Sequence, residues 1–204
     1  MSPRPVSGTE GYAAEADALA RQYESITFAD AHRPYLHLIP TEPACVLDIG
    51  AGTGRDAGAL ADMGHQVVAA EPTAEMRAHA ERLHPSPRIE WVDDSLPDLA
   101  LLSVRGEPFA LVMMTAVWMH LDDEQRRRAM PNVARLVRPG GLLTMTLRYG
   151  PVPPGRRMFV VTANETIALA ADGGLALMHR FDNQPGGFGR ADVSWTKLVF
   201  EKGG

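Results

Sequence analysis

The sequence predicts an α/β protein on a doubly wound, mostly parallel sheet with helices on both faces, and three observations carry that expectation. From Cys45 onward, short apolar runs alternate with helical patterns, the order that parallel strands joined by crossover helices produce. A glycine loop, Gly50-Ala51-Gly52-Thr53-Gly54, follows the first run and leads into the first helix of that series. Phe109 to Met114 is apolar at every position, as a strand covered on both faces must be.

Each element follows from local chemistry. Cys45 to Ile49 is the first strand; the next helix opens near Arg55 and ends at Gly64, where a residue without a Cβ takes the left-handed C′ conformation. Gln66 to Ala70 is the second strand. Thr73 is placed to cap a helix running to about Leu83, and His84-Pro85-Ser86-Pro87 stops it. Ile89 to Val92 forms a brief third strand and Phe109 to Met114 the fourth. Asp122 with Gln125 is a capping box for a helix that Arg138-Pro139-Gly140-Gly141 ends, with a kink expected at Pro131. Leu142 to Leu147 is the fifth strand; Thr162 with Glu165 repeats the capping box for a helix to Asp172. Leu175 to Arg180 and Val193 to Glu201 complete seven strands, the last two separated by the loop from Asn183 to Gly189.

Two features lie outside this core. Residues 1–40 precede any strand and carry a helical pattern over Tyr12 to Ser25, a candidate lid, whereas residues 41–204 hold the α/β domain. Residues 149–160 form a Pro/Gly/Arg loop after the fifth strand. Ligands in doubly wound sheets bind beyond the carboxyl ends of the strands, and both features are expected there.

Composition narrows the function classes. A chain of 204 residues suits one domain. The single cysteine, Cys45, excludes a disulfide framework or a cysteine metal cluster within one chain, and reads as a buried structural thiol in a reducing, cytoplasmic setting. No metal is expected. The opening residues contain no apolar signal core, and the longest apolar run, Phe109 to Met119, is far short of the ~18 residues a membrane span needs. A net charge of −5 argues against a nucleic-acid partner, which calls for a basic face. The run Arg126-Arg127-Arg128, with Arg135 and Arg138, reads as a solvated helix surface.

The glycine loop decides the ligand. The dinucleotide fingerprint G-x-G-x-x-G requires Gly or Ala at position 55, where this chain has Arg55, and no Gly-Lys-Ser/Thr follows for a phosphate loop. Asp48 stands two residues before Gly50; its carboxylate would repel a pyrophosphate and favour an ammonium or sulfonium. Glu71, at the end of the second strand, is placed to accept from both hydroxyls of a ribose. After the third strand, an acid of the pair Asp93 and Asp94 can accept from an adenine amino group, and the Ser95 N–H can donate to a ring nitrogen.

In order and spacing, VLDIGAGTGRD, VVAAEPTAEM, WVDDSLP, FALVMMTAVWMHL and LVRPGGLL resemble the successive motifs of class I S-adenosylmethionine-dependent methyltransferases, over about residues 44–150. The resemblance implies a Rossmann-like seven-stranded sheet with the last strand antiparallel. It makes residues 41–204 a methyltransferase domain that binds S-adenosyl-L-methionine and releases S-adenosyl-L-homocysteine. Gly50, Ala51, Gly52 and Gly54 would approach the methionine moiety and Asp48 its ammonium; Glu71 would bind the ribose. Asp94 with Ser95 would meet the adenine, in preference to Asp93, because an acid followed by a small residue fits the family better. Pro72, Met76, Thr115 and Ala116 would complete the cofactor contacts.

Methyl transfer from a sulfonium is an in-line displacement, so positioning and water exclusion dominate, with a general base useful for a neutral hydroxyl or a protonated amine. The residues after the fourth strand face the sulfonium in this architecture: Ala116, Val117, Trp118 and His120, with Trp118 a wall of the methyl site and His120 a candidate base. Arg148 and Tyr149, at the end of the fifth strand, are placed to meet an anionic or aromatic acceptor. Tyr12, Tyr23, His32 and Arg33 are candidates to line a lid. The acceptor expected is a small molecule. The alternatives are a peptide, protein or nucleic-acid acceptor, a non-catalytic cofactor-binding module, and a nicotinamide oxidoreductase.

Overall fold

The computed structural model describes residues 6–186 and 188–204; residues 1–5 of the N-terminal segment and Gly187 of the loop before the last strand lie outside them. Strands β1 (Cys45–Ile49), β2 (Gln66–Ala70), β3 (Ile89–Val92), β4 (Phe109–Met114), β5 (Val137–Tyr149), β6 (Leu175–Pro185) and β7 (Ser194–Lys202) form one sheet in the order β3-β2-β1-β4-β5-β7-β6. β7 runs antiparallel to both its neighbours and the other pairings are parallel. Helices α1 (Tyr12–Tyr23) and α2 (Phe28–His32) precede the sheet, and α3 (Arg55–Asp62), α4 (Ala74–Leu83), α5 (Asp123–Leu136) and α6 (Ala163–Asp172) follow its strands.

Alternation along the strands divides two cores. Leu47 and Ile49 of β1 face a cluster completed by α5 and α6, whereas Val46 packs with Ala57, Leu60 and Ala61 of α3 and with Phe28 and Tyr35 of the N-terminal segment. Asp48 shares the Val46 parity, so its carboxylate lies on the α3 side, buried. Strand order reverses direction between β1 and β4, and the crevice at that switch point opens at their carboxyl ends.

The local signals mostly hold. Gly64 has φ of 96° just past α3 and donates to Ala61. Both halves of the Asp122–Gln125 box are formed, and α5 continues through Pro131 to Leu136. Thr73 occupies the cap position of α4 without a side-chain cap bond. Thr162 caps α6, but the Glu165 carboxylate bonds Arg126 instead of closing the box. That contact corrects the reading of the arginine run: Arg127 and Arg128 are exposed, while Arg126 is buried and held by Glu165 and the Leu121 carbonyl. Cys45 is also corrected: it is exposed, because the strand dips into the core only from its second residue. Arg138 to Gly141 begins β5 instead of preceding it, with a register shift between Phe109 and Leu111 that absorbs the turn residues.

Candidate functional site

The β1 backbone enters a loop pinned to β2, where Gly50 and Ala51 both donate to the Ala70 carbonyl at 2.8 and 3.0 Å. Gly50 has φ of 72°, and a Cβ there would stand 2.5 Å from Val117 Cγ2, so only glycine lets the loop lie against the end of β4. Gly52 has φ of 58°, yet a Cβ would meet nothing nearer than Met76 Cε at 3.8 Å. Space is left above that peptide for a ligand.

The loop borders a cavity of about 840 Å³, within the ~300–1,000 Å³ usual for small-molecule sites. α1 roofs it with Tyr12, Glu15, Leu19 and Tyr23. Asp48, Gly50, Ala51, Gly52, Glu71 and Pro72 line one side, with Asp94, Ser95, Thr115 and Ala116. Gly54 stands behind the loop, where a Cβ would strike Trp91 at 2.7 Å.

Acidic groups dominate this side. Asp48 Oδ2 is buried without a hydrogen-bond partner in the chain. Burial and the neighbouring Asp56 charge push its pKa well up, with Arg55 pulling the other way. Glu71 accepts from Gly52 N at 2.9 Å and Thr73 N at 2.8 Å, bracing the loop, and burial raises its pKa. Asp56, at the start of α3, accepts from His32 Nε2 at 2.8 Å, Thr115 Oγ1 at 2.9 Å and Arg55 Nε at 2.7 Å. Burial pushes its carboxyl up, but His32 and Arg55 hold it far below the usual range.

The two adjacent acids separate cleanly. Asp93 is exposed, pairs with Arg77 at 3.0 Å and does not reach the cavity. Asp94 lines the cavity and also caps the turn at Leu102–Val104, accepting from the N–H groups of Ser95, Leu101 and Leu102 at 2.9 to 3.0 Å. Its carboxylate retains lone pairs for another donor, whereas the Ser95 N–H is already used by Asp94.

On the other side, Met119 and His120 line the cavity with Arg148, Arg156, Met158, Val193 and Trp195. His120 Nδ1 donates to the Arg157 carbonyl at 2.8 Å, which leaves Nε2 to accept from the Tyr12 hydroxyl at 3.0 Å. Burial lowers the His120 pKa, so the ring is neutral at pH 7; burial raises Tyr12 above the ordinary phenol range. Arg156 stacks over the Tyr12 ring at 4.4 Å and pairs with Glu15.

Several expected site residues lie elsewhere. Trp118 is fully buried, because the tight turn at Trp118–His120 sends it into the core while His120 faces the cavity. Tyr149 packs against the core; Arg148, its neighbour on β5, takes the opposite face and reaches the cavity. Met76 is buried beneath α1 with Ala16 and Leu19. His32 is fully buried between the Tyr35 hydroxyl, 2.5 Å from Nδ1, and Asp56. Arg33 and Tyr23 do border the cavity. Asp56, Arg156 and Trp195 were not singled out from sequence; a carboxylate opening the helix after the glycine loop was the one available signal. Ala116 holds φ of 60°, a strained conformation for a residue with a Cβ, where the chain leaves β4.

Residues 46–141 match the family model described as a methyltransferase domain. An uncharacterized methyltransferase of Mycobacterium tuberculosis is 33% identical over a region covering 52% of this chain and 40% of that protein, so the chain spans well under two thirds of this relative's length. Among solved structures, the TehB-like S-adenosylmethionine-dependent methyltransferase of Corynebacterium glutamicum superposes with a TM-score of 0.68 at 23% identity, covering 93% of this chain and 98% of the other. The 1,6-didemethyltoxoflavin-N1-methyltransferase of Burkholderia thailandensis, solved with 1,6-didemethyltoxoflavin and S-adenosylhomocysteine bound, superposes at 0.66 and 21% identity over 100% and 93% of the two chains. At these identities the structural likeness is one of fold. Among the described residues no helix is long and apolar enough to cross a membrane, and no three His, Cys, Asp or Glu side chains gather to hold a metal ion.

Proposed function

We propose that this chain, whose residues 46–141 match a methyltransferase-domain model, is a class I S-adenosylmethionine-dependent methyltransferase that transfers a methyl group by in-line displacement to a small molecule held between the glycine loop and α1. The observation that carries the reading is the Asp48 carboxylate: a buried oxygen without a partner, beside a glycine peptide with open space above it. A buried unpaired carboxylate suits an ammonium and opposes a pyrophosphate.

S-adenosylmethionine, when bound, supplies a methyl group on a sulfonium, whose electron pair returns to sulfur as the new bond forms. The residues do the rest. Asp48 receives the ammonium, Glu71 the ribose hydroxyls and Asp94 the adenine amino group, each keeping lone pairs beyond those its backbone partners use. α1 and the 149–160 loop exclude water from the far side. Tyr12 and His120 form a proton path: the acceptor passes its proton to the Tyr12 oxygen as Tyr12 releases its own to neutral His120 Nε2. The small-molecule reading draws support from the roofed cavity and from a fold neighbour solved with a small acceptor bound.

Thermal unfolding with S-adenosylmethionine, S-adenosylhomocysteine, NAD and NADP tests the reading. At about a hundred times the dissociation constant a ligand stabilises by ~2.7 kcal/mol, a rise of roughly 5–11 °C for a domain of this size. Shifts are expected from the two adenosyl sulfur compounds and not from the nicotinamides; the reverse pattern would overturn the assignment.

A further inference from the structure

We infer that the acceptor half of the cavity is built for a small carboxylate with a flat apolar body, an inference that rests on the methyl-transfer reading above. Five arginines line the cavity. Four of them meet an acid: Arg33 meets Asp30, Arg55 meets Asp56, Arg156 meets Glu15, and Arg190 meets Asp192 at 3.7 Å. Arg148 has no carboxylate partner among the described residues and donates only to the carbonyls of Gly150, at 3.4 Å, and Pro151, at 2.9 Å. Burial and then the Arg190 charge push its pKa down, against a smaller opposing pull from Asp192, as befits a cation short of an anion.

Charge in the cavity is divided between its two ends. Asp48, in β1, stands with Glu71 and Asp94, after β2 and β3, on one side of the switch point, where Arg55 is neutralised by Asp56. Arg148 ends β5, Arg156 stands in the loop after it, and Arg190 precedes β7, on the other side. A cationic cofactor and an anionic acceptor would each meet the opposite charge, which orders them in the cavity without further contacts. The β5–β7 register sets Arg148 directly opposite Trp195, and both line the cavity. Residues so paired share one face of the sheet, so the carboxylate reaches Arg148 while the apolar body lies on the indole and Met158. Its accepting atom then points back toward Tyr12 and His120.

Titration calorimetry on the protein saturated with S-adenosylhomocysteine tests this, using benzoate, phenylacetate and indole-3-acetate, each against its amide. At least one acid is expected to bind at least about tenfold tighter than its amide, the margin of a hydrogen bond to a charged group. Arg148→Gln is expected to abolish that preference and leave S-adenosylhomocysteine affinity unchanged, which also certifies the fold. No acid preferred over its amide, or a preference that survives Arg148→Gln, would overturn the inference. Failure of the wild-type protein to bind S-adenosylhomocysteine would instead bring down the reading beneath it.

Discussion

At the residue scale, Asp48 makes a pH-dependent prediction. Its folded pKa lies well above the ordinary value of about 3.9, so between those values the folded protein holds a proton that the unfolded chain has released. Stability from this group is therefore greatest at low pH and declines as pH rises through that window. Ligand binding runs the opposite way, because an ammonium needs the carboxylate. S-adenosylhomocysteine affinity should rise with pH through the window, by up to about tenfold per unit, with net proton release. Glu71, also raised by burial, pushes in the same direction, so Asp48→Asn separates the two. We expect that variant to bind roughly ten- to a hundredfold more weakly, the loss of a hydrogen bond to a charged group, with a flatter pH profile. Calorimetry in two buffers of different ionisation heat reads both; equal proton release by the variant and the wild type would rule Asp48 out as its source. Asp48, the glycines and Glu71 were legible because the strand-to-loop backbone alone fixes where they stand. Trp118, Tyr149 and His32 were not, since one step of rotation in a turn or strand decides cavity or core, and spacing does not fix that step.

At the element scale, a buried polar link ties the N-terminal segment to the start of α3. α2 ends in His32, which joins Tyr35 to Asp56 at the start of α3; Asp56 also holds Arg55 and Thr115 beside the glycine loop. His32→Ala would leave the buried Asp56 carboxylate and the buried Tyr35 hydroxyl each short of a hydrogen-bond partner, at a cost of about 3–5 kcal/mol for the two together. For a domain of this size that is a fall in Tm of roughly 6–20 °C, read by thermal unfolding at neutral pH; a fall below about 2 °C would mean the link contributes little. Sequence signals marked the start of α5, where the Asp122–Gln125 box is local, but passed over α2, which Thr27 caps just as locally. They failed where a distant partner competes: Glu165 leaves its box because buried Arg126, from another helix, requires its charge. The extra length of β6 and β5 was likewise hidden: pairing with β7 extends β6 to Pro185 and β5 to Tyr149, and pairing of Val137 with Phe109 of β4 starts β5 early.

At the scale of the whole molecule, the alternating order of strands and helices was readable because buried parallel strands are continuous apolar runs. The insertion of β7 between β5 and β6 was not, since periodicity does not record which neighbour a strand takes; only the family resemblance implied its direction. The distribution of charge carries the remaining prediction. The net charge is −5, and Arg126, Arg127 and Arg128 of the basic run pair with Glu165, Asp123 and Asp98, while Arg135 bonds the Asn132 amide. Arg105 is likewise bound to Glu90. Arg148, without an acid partner among the described residues, stands in the cavity beside Arg156 and Arg190, which are each paired with an acid. A nucleic-acid substrate would need several free cations in a line to displace counterions, and would lose about 10³–10⁵ in affinity between ~50 and ~200 mM salt. Fluorescence anisotropy with a short single-stranded RNA and a DNA duplex should therefore show no saturable binding up to about 10 μM protein even at the lower salt, well short of specific complexes. Tight binding that collapses at the higher salt would mean that a basic face forms in solution, and the acceptor would have to be sought among nucleic acids instead of small carboxylates.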